Sequence, residues 1–306
     1  ADGAHAWRAF HQLAREHRLR LRCWVTLPGE QLDEAVGLGL STGFGSAYLR
    51  VGHVKFFSDG GMGARTAWMV DPFLDAGCGM PLMPMDELAA AVGRADAAGL
   101  SVMVHAVGDR ANREVIDMFA ALEENRKRSG AQAPFIAHRI EHVQMIRPAD
   151  IARLSSLNLA LNVTPANMLL DINLIDQALA ERGRFTYAFR QLLDTGLPVM
   201  FSSDCPVCDP APLIGIQAAV TRQRPDGTPA GGWYPDQRVS VAEAIRAYTA
   251  TPAAVHQAAD LGMLSPGCKA DMAVLNQNVL SLPTTRLPET RVDMTVFDGK
   301  IVYRTF

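Results

Sequence analysis

Short apolar runs and amphipathic helical stretches alternate along this chain, and that alternation restricts its fold more than any other feature. Runs at 19–27, 51–57, 100–105, 135–142, 158–164 and 199–203 are rich in apolar residues and short enough for strands. Stretches at 4–18, 86–98, 109–128, 148–156 and 185–195 read as the helices between them. In the first, Trp7, Phe10, Leu13 and Ala14 share a face. Asp86 is the expected N-cap of the second and Gly99 its stop, while Ser129-Gly130 ends the third. A helix between consecutive strands returns the chain to the end it started from, so the pattern predicts a parallel sheet. No glycine-rich phosphate loop follows any strand, which argues against a dinucleotide-binding sheet. Polar residues recur instead at strand C-terminal ends, where a (β/α)8 barrel keeps its chemistry.

The pattern changes after residue 240. A helix is expected over 241–259, with Ser240 as N-cap and Glu243 in the capping-box position. Strand-like pieces follow at 272–276 and 295–304, the second broken by Asp298-Gly299, a hairpin signal. The expected organisation is an α/β barrel domain over 1–260 and a small β piece over 261–306.

Charge excludes some classes of function. The net charge is −3 over 306 residues with no basic block, so neither nucleic acid nor a membrane surface is an expected partner. The five cysteines, at 23, 78, 205, 208 and 268, are odd in number and irregular in spacing. They do not form a disulfide framework, which favours a cytoplasmic setting.

Four strands carry a potential metal ligand at or near their C-terminal ends: Lys55, His105, His142 and Asp204. Imidazole and carboxylate suit zinc and similar divalent ions. In a barrel those ends open on one mouth, so residues far apart in sequence can meet there. Each residue alone has an ordinary reading: a hydrogen-bonded core histidine, a turn aspartate, a snorkelling lysine. Four such residues in order, each at a strand end, are much harder to obtain by chance. Cys205 and Cys208 form an isolated Cys-x-x-Cys, a weaker signal for a redox or structural-zinc pair. Asp109 and Arg110 are expected to cap the next helix and support the rim. His138 and Arg139 read equally as structural or substrate-contacting. Gly60, Gly61 and Gly63 read as a turn, and Met80, Met83 and Met85 as loop packing.

The segments Val-Lys-Phe-Phe-Ser-Asp-Gly-Gly at 54–61, Val-His-Ala-Val-Gly-Asp-Arg-Ala at 104–111, Arg-Ile-Glu-His-Val-Gln at 139–144 and Ser-Ser-Asp-Cys-Pro-Val at 202–207 resemble the amidohydrolase superfamily. They look closest to its family 3 branch, which contains N-substituted formamide deformylase. The runs at 247–254 and 262–275 resemble the same family's passage from its last barrel helix into a small β-sandwich. The resemblance implies that the six strands are strands three to eight of a (β/α)8 barrel. It implies that Lys55 is the strand-four lysine, often carboxylated to bridge two metals, and that His105 and His142 are the strand-five and strand-six ligands. Asp204 would bind metal and shuttle a proton. The implied cofactor is a divalent metal, zinc, and the implied reaction is hydrolysis of a C–N bond in an amide, formamide or cyclic amide by metal-activated water. The implied partner is a small amide-type substrate, with a homo-oligomer as a further expectation. The family's opening His-x-His pair has no counterpart: the eight histidines are at 5, 11, 17, 53, 105, 138, 142 and 256. That absence leads to the expectation of a fragment lacking strands one and two. The alternative reading is an inactive fragment or regulatory homologue that keeps the fold without a complete metal site.

Overall fold

A computed structural model describes residues 3–305; Ala1, Asp2 and Phe306 lie outside the described residues. Helix α1 (Gly3–Arg15) leads to β1 (Cys23–Pro28), α2 (Leu32–Gly37) to β2 (Leu49–Phe57), α3 (Met85–Ala97) to β3 (Val102–Ala106) and α4 (Asp109–Ser129) to β4 (His138–His142). After α5 (Pro148–Leu154) comes β5 (Leu159–Val163), then α6 (Pro165–Leu179), α7 (Phe189–Asp194) and β6 (Val199–Phe201). Helices α8 (Pro212–Thr221), α9 (Val241–Tyr248) and α10 (Ala250–Val255) precede three short strands, β7 (Met272–Leu275), β8 (Val292–Phe297) and β9 (Lys300–Arg304).

Strands β1 to β6 form one sheet in sequence order, and every neighbouring pair is parallel. A doubly wound sheet would reverse its strand order partway across. The unbroken order is that of a singly wound sheet, here curled into half a barrel. No helix among the described residues is long and apolar enough to cross a membrane.

The two faces of the sheet differ in kind because successive strand residues point to opposite sides. Val54, Phe56, Val102, Val104, Ile140, Leu161 and Phe201 join the main core, packed with Leu88 and Val92 of α3 and Val115 and Phe119 of α4. Each such side chain, fully buried, contributes about 1.5–3 kcal/mol. The alternate positions carry His53, Lys55 and Phe57 on β2, Met103 and His105 on β3, Arg139 and Glu141 on β4, and Asn162 on β5. Lower on that inner face, Ala160 and Met200 form a separate small cluster with Val255 of α10.

Local chemistry fixes the element ends. Helix α4 has Asp109 in its first turn and Arg126, Lys127 and Arg128 in its last, each matched to the helix dipole. It stops at Gly130, whose φ of 72° is left-handed. Ser240 and Glu243 form the full capping box on α9. The small strands form an antiparallel sheet in the order β7–β8–β9, with Asp298 and Gly299 both at positive φ in the hairpin. Arg22, just before β1, ties this sheet to the large one through ion pairs with Asp271 and Asp298.

Some local expectations need correction. Asp86 does not cap α3: the N-cap is Pro84, and Asp86 lies within the first turn. The helix expected over 241–259 is two helices broken at Thr249. Pro252 has no N–H to continue the ladder, and its ring crowds the preceding turn. Helices α2, α6 and α8 add to those expected from the sequence.

Candidate metal centre

The barrel-strand register brings the expected ligands toward one mouth. Lys55 lies two residues before the end of β2, His105 is in the last turn of strand before Ala106, and His142 is the last residue of β4. Asp204 follows β6 by three residues. Phe57 pairs with His105 and His105 with Glu141, so the inner-face residues of β2, β3 and β4 sit in one row. His142 has the outer-face parity, but the chain turns there: His142 and Val143 have φ of 72° and 43°. A β-branched residue at positive φ is strained, at about 1–3 kcal/mol, and such strain gathers at functional sites. The turn brings the His142 ring to 4.5 Å from that of His105, centroid to centroid. Asp204 is also left-handed, with φ of 54°.

The ionisation states follow from burial. Burial pushes His105 down to about 4, against a raising hydrogen bond to the Gly60 carbonyl. Burial, then the neighbouring His105 and Lys55, push His142 down to about 3. Both imidazoles are therefore neutral near pH 7, each with one nitrogen lone pair free to bind a metal. His105 donates from Nε2 to the Gly60 carbonyl at 3.0 Å, which leaves Nδ1 as the lone-pair nitrogen. Lys55 is lowered, chiefly by burial, with Glu141 and Asp204 opposing the shift. Asp204 is raised, chiefly by burial, with Lys55 opposing.

Asp59 organises the mouth from beneath. Its side chain is fully buried, with His105 Nε2 3.7 Å from Oδ1. Oδ1 accepts from the Val107 N–H at 3.0 Å, and Oδ2 from those of Trp68 and Gly108, both at 2.8 Å. Burial raises its pKa to about 6 in spite of those three donors. The carboxylate thus joins the exit of β2, the loop at 66–70 and the β3–α4 turn. Asp109 extends the same tie. It does not cap α4, whose N-cap is Gly108; it accepts from Val70 N–H at 2.8 Å and from Arg147 Nε at 2.6 Å. Arg110 lies over the Trp68 ring at 4.6 Å.

A polar ladder that strand-end reading does not reveal runs across the inner face. Arg139 Nε lies 2.5 Å from Glu141 Oε1, and Asn162 Nδ2 donates to Glu141 Oε2 at 2.7 Å and to Ser202 Oγ at 3.0 Å. The signal that could find it is parity: Arg139 and Glu141 occupy alternate, inner-face positions of β4, and Asn162 is in register with Glu141 on β5. His138 is structural. It accepts from Val102 N–H at 3.0 Å and donates to Asp96 at 3.0 Å on the outer face. Met83 and Met85 pack on the core, whereas Met80 is exposed. Cys205 is exposed, Cys208 is buried, and both are free thiols.

Among the described residues, no three His, Cys, Asp or Glu side chains gather closely enough to hold a metal ion by themselves. The two imidazoles converge, so a metal there requires a further ligand of another kind, and Lys55 is the inner-face group beside them.

Comparison with known proteins finds relatives of the chain in sequence and in structure. The chain is 34% identical over 241 residues to LONG AFTER FAR-RED 3 of Arabidopsis thaliana, covering 76% of this chain and 40% of that protein. It is 27% identical over 300 residues to the putative amidohydrolase YtcJ of Bacillus subtilis, covering 97% and 55%. An uncharacterized metal-dependent hydrolase from Pyrococcus horikoshii superposes with a TM-score of 0.79 at 30% identity, over 91% of this chain and 55% of that one. The chain thus spans about half the length of these relatives. The model of the amidohydrolase family matches residues 1–303, and the chain belongs to that family.

Proposed function

We propose that this chain supplies strands three to eight of a (β/α)8-barrel hydrolase that cleaves a C–N bond in an amide, formamide or cyclic amide. His105, His142, Lys55 and Asp204 would hold a divalent metal, zinc. The observation that carries the reading is the meeting of two neutral imidazoles at 4.5 Å, beside a buried lysine whose basicity is lowered. They fit a metal for a chemical reason. A less basic lysine is more often the free amine, the form that takes up carbon dioxide, and the resulting carbamate presents an anionic oxygen where the ammonium was. That supplies the ligand that the His, Cys, Asp and Glu side chains lack among themselves.

When bound, the metal lowers the pKa of water and polarises the substrate carbonyl. The protein's own groups do the rest. The Asp204 carboxylate accepts a proton from the attacking water and returns it to the leaving nitrogen, so amide and water become acid and amine. The Gly60 carbonyl holds the His105 ring in its tautomer and orientation, with the Asp59 carboxylate 3.7 Å from the same nitrogen. The strained turn at His142 and Val143 aims the second imidazole. The five unpaired cysteines support a cytoplasmic setting.

The test is metal content after extensive dialysis and zinc reloading in bicarbonate buffer, followed by assay of simple amides. His105→Ala and His142→Ala are each expected to weaken zinc binding at least about tenfold, and Cys208→Ser to leave it unchanged. Zinc held undiminished by the double histidine variant would remove this site.

A further inference from the structure

We propose that Phe57 selects the substrate: its ring seats an uncharged, planar apolar substituent next to the scissile amide. This rests on the hydrolase reading above and narrows its substrate class. Phe57 is the last residue of β2 and points to the inner face with Lys55. Lys55 Nζ lies 4.8 Å from the ring centroid, and the His105 ring lies 5.2 Å from it at a tilt of 42°. The side chain is therefore in contact range of two groups of the proposed centre, yet Phe57 stays 43% exposed. Two nearby apolar groups are likewise open. Pro81 bridges to Asp59, and Leu82 N–H donates to the Ser58 carbonyl at 2.9 Å, so Met80 and Leu82 lie alongside the exit of β2. They are 58% and 57% exposed. Val207, on the turn that begins at Asp204, is 54% exposed.

Charge points the same way. Arginines that follow β2, β3 and β4, in loops or on the first turn of α4, each face a carboxylate. Arg65 pairs with Asp75 at 2.8 Å, Arg110 with Glu114 at 3.7 Å, and Arg147 with Asp109 at 2.6 Å. Deeper on the inner face, Arg139 pairs with Glu141 at 2.5 Å. Arg65, Arg139 and Arg147 are each held by a carboxylate at 2.5–2.8 Å, and Arg110 is half-exposed at the rim. An open aromatic ring with aliphatic neighbours and neutralised arginines favours an aryl group over an amino-acid carboxylate.

The experiment measures binding of acetanilide and of N-methylacetamide to the zinc-loaded protein by calorimetry, with turnover of both followed in parallel. Acetanilide should bind about three- to tenfold more tightly, the range expected of one aromatic pair. Phe57→Ala should reduce that preference to less than about twofold, and Phe57→Tyr should keep it. Because Phe57 is part-exposed, the alanine variant should fold, and its unfolding midpoint checks this. No preference for acetanilide, or a preference that Phe57→Ala leaves intact, overturns the proposal. Turnover of both amides with a ratio unmoved by Phe57→Ala overturns the aromatic seat and leaves the hydrolase reading standing. Phe57-dependent binding with no turnover of either amide keeps the seat and counts against the hydrolase reading.

Discussion

Gly108→Ala should be strongly destabilising, for a reason that can be worked from the coordinates. Gly108 precedes α4 and has an ordinary φ of −72°, so an alanine there is not strained by its backbone angles. The obstacle is space: a Cβ on Gly108 would stand 2.0 Å from the Trp68 carbonyl oxygen and 2.5 Å from its carbon. Those are backbone atoms, and they cannot rotate away. The same carbonyl accepts from the N–H groups of Arg110 and Ala111, and the Gly108 N–H donates to Asp59 at 2.8 Å. Relieving the clash therefore means separating the β3–α4 turn from the loop at 66–70. Overpacking costs about 1–3 kcal/mol. Loss of the hydrogen bond to the Asp59 carboxylate costs about 1.5–3 kcal/mol more. The expected destabilisation is about 2.5–6 kcal/mol, a large part of a typical folding free energy. The control is Gly63→Ala, where the added Cβ meets only Leu174 Cδ1 at 3.7 Å, an ordinary contact. Urea unfolding followed by tryptophan fluorescence measures both. A Gly108→Ala protein within about 1 kcal/mol of wild type would show that the Trp68 carbonyl yields freely, and the close-approach reasoning would fail.

Two further outcomes can be checked on the same protein. Ser240→Ala should destabilise by about 1 kcal/mol, because the Ser240 hydroxyl caps the Glu243 N–H at 3.2 Å; a change below about 0.3 kcal/mol would dismiss the capping box as a contributor. Asp96 carries a pH-dependent contribution: burial alone would raise its carboxyl, but hydrogen bonds from His138 and Arg126 hold it below the ordinary 3.8. A depressed folded-state value gives stability that is present above the unfolded value and lost as pH falls through the folded one. Asp96→Asn should therefore flatten the pH dependence of stability below about pH 4, and an unchanged acid limb in thermal melts would contradict that.

The strand ends were legible because two independent signals coincide in them: apolar runs of strand length, and a polar residue where each run stops. That was enough to bring His105 and His142 together and to find the sheet. Helix α6 was less legible. Its buried stripe includes Met168, Leu169, Ile172 and Ile175, but Leu170 and Leu174 lie off it and blur the period. Leu170 is 64% exposed. The break at Thr249 was written in Pro252, three residues further on, and only becomes clear once the helix register is known. The Arg139–Glu141–Asn162 ladder needed more than any single strand could offer. Arg139 and Glu141 share a strand, but Asn162 joins them only through cross-strand register, which links residues 21 apart or more. Asp59 was visible as a loop carboxylate, but its three N–H donors come from segments that meet only in the folded chain.

The two-faced sheet also protects its own alignment. Sliding any one of β2, β3 or β4 by a single residue would exchange its faces. Lys55, His105 or Glu141 would then press against helices α3 and α4, and Val54, Val104 or Ile140 would line the mouth. Such a slip would bury ionisable groups without partners and expose valines to water, and both penalties act at once. A mistake that would ruin the chemistry is thus also one that the fold rejects on energetic grounds. The geometry of the proposed centre is proofread by the hydrophobic core behind it, one residue away on each of these three strands.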